Sequence, residues 1–86
     1  MPDIPAITGY ELIRLLELDG WVRGRRGTHG QAFYKYFSLE KRNRVTVVQR
    51  TRASLPSGTL GGILSVKQTG LGRKGLLELL AKQGRK

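Results

Sequence analysis

The chain holds a single histidine, His29, and its neighbours decide what chemistry it can do. It stands in Gly27-Thr28-His29-Gly30, between Trp21-Val22-Arg23-Gly24-Arg25-Arg26 and Gln31-Ala32-Phe33-Tyr34-Lys35-Tyr36-Phe37. Both flanks read as strands, so the histidine falls at or beside a hairpin bend. Imidazole titrates near pH ~6.5, inside the range where it can give or take a proton. Nearby arginines disfavour its charged form, whereas the phosphates of a bound substrate favour it. A neutral imidazole can take the proton from a ribose 2′-hydroxyl, which then attacks the adjacent phosphorus. Positive side chains would stabilise the charge that builds on the phosphoryl oxygens. With one histidine a two-histidine acid–base pair is excluded, so the leaving 5′-oxygen needs another donor or water. The alternative for His29 is a solvated surface residue with no chemistry.

Other chemistry finds little support. There is no cysteine, hence no disulfide framework, thiolate nucleophile or thiolate metal site. One histidine without cysteine makes a zinc site improbable. The six acids are scattered, with no carboxylate pair at a recognisable spacing. Gly70-Leu71-Gly72-Arg73-Lys74-Gly75 starts as G-x-G but follows no strand, so it is not read as a phosphate loop. No metal and no cofactor are expected.

The formal charge is +10, from sixteen Lys and Arg, ten of them Arg, against six acids. Arg presents a planar fork that suits phosphate. So high a charge in 86 residues repels itself unless a partner offsets it. Nucleic acid is the first partner expected, an acidic protein the second and a membrane surface the third. Met1-Pro2-Asp3 opens without a basic run before an apolar stretch, and no segment is long and apolar enough to span a membrane. A cytoplasmic protein without membrane attachment is the expectation.

The elements that must position these residues are legible. Thr8-Gly9-Tyr10-Glu11 is a capping box, with Ile7 and Leu12 as its hydrophobic staple. Leu12, Ile13, Leu15 and Leu16 recur at helical spacing and Gly20 ends the run, which predicts a helix over 9–19. Residues 21–23, 32–39 and 44–49 read as a three-stranded antiparallel meander, with Lys41-Arg42-Asn43 as a polar turn. Ser57 is expected to cap a second, short helix from Gly58. Gly61 and Gly62 within it each cost about 1 kcal/mol relative to alanine. A last helix over 73–83 is expected to turn Leu76, Leu77, Leu79 and Leu80 inward. The reading is one α+β domain over 1–86, its core within 7–83. Its order is α-β-β-β-α-α, a two-layer sandwich with helices on one face of an antiparallel sheet and the other face open.

The helix, then Gly27-Thr28-His29, then the β-rich stretch, then Leu55-Pro56-Ser57-Gly58-Thr59-Leu60 with Ile63-Leu64 resembles the HicA toxins of bacterial and archaeal toxin–antitoxin pairs. The resemblance runs from Ile7 to Leu80. It rests on the G-[ST]-H triplet and the L-x-x-G-T-L-x-x-I-L stretch in that order. It implies a fold like that of double-stranded-RNA-binding domains and an endoribonuclease that cleaves mRNA without a metal. It also implies His29 as the catalytic residue and a HicB-type antitoxin as a protein partner. Two departures stand out. Val47-Val48-Gln49-Arg50 occupies the place of a V-P-x-H pattern, so a second histidine is replaced by Arg50, a possible phosphate contact. Ser65-Val66 reads as an insertion.

Arg23, Arg25 and Arg26 flank the triplet and Lys35 lies on the paired strand. They form a candidate phosphate track, with Thr28 beside the histidine, or else a solvated sheet edge. Arg73 and Lys74 stand in the first turn of the last helix, where the dipole disfavours cations, and so suggest an external anion. Lys67-Gln68-Thr69 suggests the same more weakly. Phe33, Tyr34, Tyr36 and Phe37 alternate between two faces of one strand. One pair belongs to the core and the other is free to stack bases, while a bulge near the histidine would alter which pair shares its face. Two rivals to the nuclease are a non-catalytic RNA-binding module and a basic interaction protein for an acidic partner.

Overall fold

The computed structural model describes residues 6–28 and 30–84. The elements run α1 (Gly9–Leu18), β1 (Val22–Gly27), β2 (Gly30–Phe37), β3 (Arg42–Val48), α2 (Ser57–Leu64) and α3 (Gly72–Gly84). The strands form one antiparallel sheet in the order β1-β2-β3. The α+β class and the α-β-β-β-α-α order are as the sequence predicts.

Thr8 caps α1 as a full capping box: its hydroxyl accepts from the Glu11 amide, and the Glu11 carboxylate accepts from the Thr8 amide. At the other end Gly20 takes φ +93°. Its amide donates to Glu17 O at 3.1 Å, and the Trp21 amide donates to Leu16 O at 2.9 Å. This pair of bonds is the Schellman ending, which a glycine makes without strain. It delivers Trp21 straight into the core, where its ring stands 6.0 Å from that of Phe37.

The core lies between the helices and one face of the sheet. Leu12, Leu15 and Leu16 of α1, Phe33 of β2, Val48 of β3 and Leu76 of α3 are fully buried. The amino end of α1 is welded to the chain after β3. The Tyr10 amide donates to Thr51 O, the Leu55 amide to Ile7 O, and Thr8 bridges to Ser54. Gly9 makes this approach possible, because a Cβ there would fall 1.8 Å from Gln49 O.

Four expectations need correction. α2 begins at Ser57 itself, with Pro56 at the N-cap and no side-chain cap, so Ser57 is inside the helix. A proline just before the first turn sets the entry angle and needs no hydroxyl. Leu77 is exposed, because α3 packs on α1 and α2 through Leu76 and Leu79 and only one stripe faces inward. Arg42 and Asn43 belong to β3, paired with Phe37 and Tyr36; the turn is completed by Lys41 at φ +55°. Gln68 and Thr69 serve the α2–α3 connection, with Thr69 Oγ1 donating to Ile63 O and Thr46 Oγ1 to Gln68 Oε1.

Arg44 ties that connection to the sheet. It donates to Val66 O at 2.7 Å, pairs with Glu40 and places its guanidinium 4.9 Å from the Phe37 ring centroid. The Glu40 carboxyl is held below its ordinary value near 4.5, chiefly by the hydrogen bond from Arg44. That from Arg23 acts likewise on Glu17. A carboxyl whose pKa is lowered on folding stabilises the fold above its unfolded value, and the stabilisation disappears as pH falls through the folded value. Melting temperature should therefore fall below pH ~4.5, and Glu40→Gln should flatten that fall, as thermal melts across acid pH would read.

Alanine at two glycines should act in opposite directions. Gly9→Ala should cost about 1–3 kcal/mol or more, because the clash is with backbone. Gly61→Ala, which meets open space in a helix, should stabilise by about 0.5–1 kcal/mol. Urea unfolding of both variants checks the pair.

Candidate nucleic-acid interface

β1 and β2 pair as Val22↔Tyr34, Arg23↔Phe33, Arg26↔Gln31 and Gly27↔Gly30. Between Arg23 and Arg26 the first strand carries one residue more than its partner, which is a β-bulge. Strict alternation would put Arg23 and Arg25 on the same face. The bulge turns Arg25 to the other one. Arg23 stays on the helix side, paired with Glu17 of α1. Arg25 lines a cavity of about 270 Å³ with Ala32 and Val47 on the open side of the sheet. The buried side chain of Gln31 holds the bulge, its amide donating to Gly24 O at 2.8 Å and to Ala32 O at 3.0 Å.

β1 ends at Gly27 and β2 begins at Gly30, and the connection holds Thr28 and His29. His29, the expected catalytic residue, lies outside the described residues. Gly30 takes φ +146°, and a Cβ there would fall 2.3 Å from Val48 O. Only glycine brings this end of the hairpin so close to the end of β3, and hence to Arg50.

Two cavities meet at the hairpin end. The first has Arg25, Gly27, Thr28 and Gly30 among its walls; the second, of about 230 Å³, is lined by Thr28, Gly30, Gln49 and Arg50. Thr28 and Gly30 line both, so an arginine from β1 and one from beyond β3 stand on either side of the same short segment. Arg26 is exposed but pairs with Gln31, so it faces the helix side of the sheet and lines neither cavity. Two larger clefts lie elsewhere, one along α1 at Arg14 and Arg52 and one between β3 and α2.

The acids sort the cations. Glu17 pairs with Arg23, Asp19 with Lys35, and Glu40 with Arg42 and Arg44. Arg25, Arg26 and Arg50 have no ion pair or hydrogen-bond partner among the described residues. Lys35, expected beside the site, is half-buried on the helix side. It donates to the Asp19 carbonyl at 2.7 Å, which ties β2 to the end of α1. Arg73 and Lys74 are exposed on α3, in the helical layer rather than at the hairpin. The structure thus groups Arg25, Thr28 and Arg50, and separates Arg26, Lys35, Arg73 and Lys74 from them: Arg26, paired with Gln31, faces the helix side of the sheet.

Sequence reasoning missed Gln31, whose polar side chain gave no sign of burial. It also passed over Gly24, although a lone glycine inside a strand is the usual mark of a bulge. Among the described residues no group of three His, Cys, Asp or Glu is placed to hold a metal ion, and no helix is long and apolar enough to cross a membrane. No family model, curated protein or solved structure matches this chain.

Gln31→Leu should leave Gly24 O without its donor and cost about 1–3 kcal/mol. Denaturant unfolding measures the loss, and amide exchange at Gly24, Arg25 and Arg26 should rise as the bulge loosens.

Proposed function

We propose that this chain is a small endoribonuclease that cleaves mRNA with His29 as general base, acting as the toxin of a toxin–antitoxin pair in the cytoplasm. The observation that carries the reading is the pair of arginines, Arg25 and Arg50, that line the two cavities meeting at Thr28 and Gly30 and have no partner among the described residues. A protein whose described acids pair with cations elsewhere and leave these two unpaired is suited to an external polyanion. The resemblance of the triplet and of the later Gly-Thr-Leu stretch to HicA toxins supports the activity and, with it, a HicB-type antitoxin as partner.

In this reading the neutral His29 imidazole removes the proton of a ribose 2′-hydroxyl. The 2′-oxygen forms a bond to the adjacent phosphorus while the bond to the 5′-oxygen breaks. That oxygen leaves with a proton from water, and the other fragment ends in a 2′,3′-cyclic phosphate. Arg25 and Arg50 stabilise the charge on the non-bridging oxygens.

His29→Ala should slow cleavage of single-stranded RNA by roughly 10²–10⁴-fold, the usual contribution of a general base. Wild-type cleavage should persist in excess chelator and leave cyclic phosphate ends. Cleavage by His29→Ala at the wild-type rate would overturn the proposal. Salt-sensitive RNA binding without any cleavage would instead support a non-catalytic RNA-binding module.

A further inference from the structure

The sheet buries one face, and among the described residues no helix covers the other. On β2, Phe33 is fully buried and Phe37 packs on the core, so Tyr34 and Tyr36 point the opposite way. Tyr34 is 41% and Tyr36 60% exposed. Tyr34 sits mid-row between Val22 of β1 and Val45 of β3, both exposed. Ala32, the next residue of β2 on this face, lines the cavity that holds Arg25. Tyr36, Tyr34 and Ala32 therefore form a line on the central strand that leads into the arginine cavity at the hairpin.

We infer that this open face is a platform for single-stranded RNA, which lies along β2 with successive bases stacked on Tyr34 and Tyr36. The inference rests on the reading of the chain as an RNA-directed protein, not on His29 acting as a base. Alternate residues of a strand stand roughly 6–7 Å apart, about twice the ~3.4 Å between stacked bases of one nucleic-acid strand. Two rings at that spacing engage bases that are unstacked from each other, and a duplex keeps its base faces covered. The occupant must also suit the charge. No described acid stands on this face: Glu11, Glu17 and Asp19 belong to α1 and its cap, Glu40 to the β2–β3 turn and Glu78 to α3. A second copy of a chain with charge +10 would be repelled, whereas a polyanion meets Arg25 at the end of the line.

The test is fluorescence-anisotropy binding of a short 2′-O-methyl single strand, which cannot be cleaved through its 2′-oxygen, and of the matching duplex. Tyr34→Ala and Tyr36→Ala should each weaken single-strand binding roughly tenfold or more. Tyr34→Phe and Tyr36→Phe should stay within about threefold of wild type, because stacking needs the ring and not the hydroxyl. Duplex binding should be weaker and indifferent to all four changes. Both tyrosines are exposed, and circular dichroism of each variant confirms the fold. Alanine variants that bind like wild type, a duplex held as tightly as the single strand, or loss of self-association in place of RNA binding would overturn the platform. The nuclease reading fails separately: a chain that cleaves no RNA yet loses single-strand binding in the alanine variants keeps the platform.

Discussion

Burial of one face of β2 governs this structure. A strand sends successive side chains to opposite sides, so committing Phe33 to the core beneath the helices also commits every other residue of the strand. Phe37 follows Phe33 inward, where Trp21, Lys35 and Arg44 surround it. Tyr34 and Tyr36 are left outside. The ladder then carries the same parity to Val22 and Val45 on the neighbouring strands. A one-residue slip would exchange the two faces entirely. The face offered to solvent is thus set by what the helices need beneath them.

The bulge in β1 departs from that parity at one place, and the departure falls at the candidate site. One extra residue turns Arg25 to the open face, while Arg23 stays with Glu17 on the helical side. Gln31 offsets the disruption by accepting burial and bonding the Gly24 carbonyl within the bulge. The same economy applies to charge. The acids of α1 and the β2–β3 turn neutralise cations that brace the fold, and the arginines about the hairpin keep their capacity for an outside anion.

Much of this was legible in the sequence wherever a local rule was decisive. Thr8 and Glu11 announce the start of α1 because each satisfies an amide the helix leaves open. Gly20 announces its end because the Schellman turn needs positive φ. The β-branched run around Val45 and the alternation around Phe33 announce strands. Where a local preference had to compete with packing, the sequence misled. Ser57 looks like a cap, but Pro56 already sets the helix start. Leu77 looks like core, but α3 presents only one stripe to its neighbours. Lys35 looks like a phosphate ligand until the end of α1 is seen to claim it.

By itself the sequence determined the element order, the single antiparallel sheet, the large positive charge and the one histidine on which general-base chemistry can rest. Those follow from spacing, capping and composition, which act within a few residues along the chain. Tertiary structure alone decided which cations meet the Gly-Thr-His connection. Arg25 gets there through a bulge held by Gln31, and Arg50 gets there because Gly30 lets the hairpin close on the end of β3. Both depend on contacts between strands, and an arginine's own neighbours in sequence carry no trace of which carboxylate, if any, will reach it.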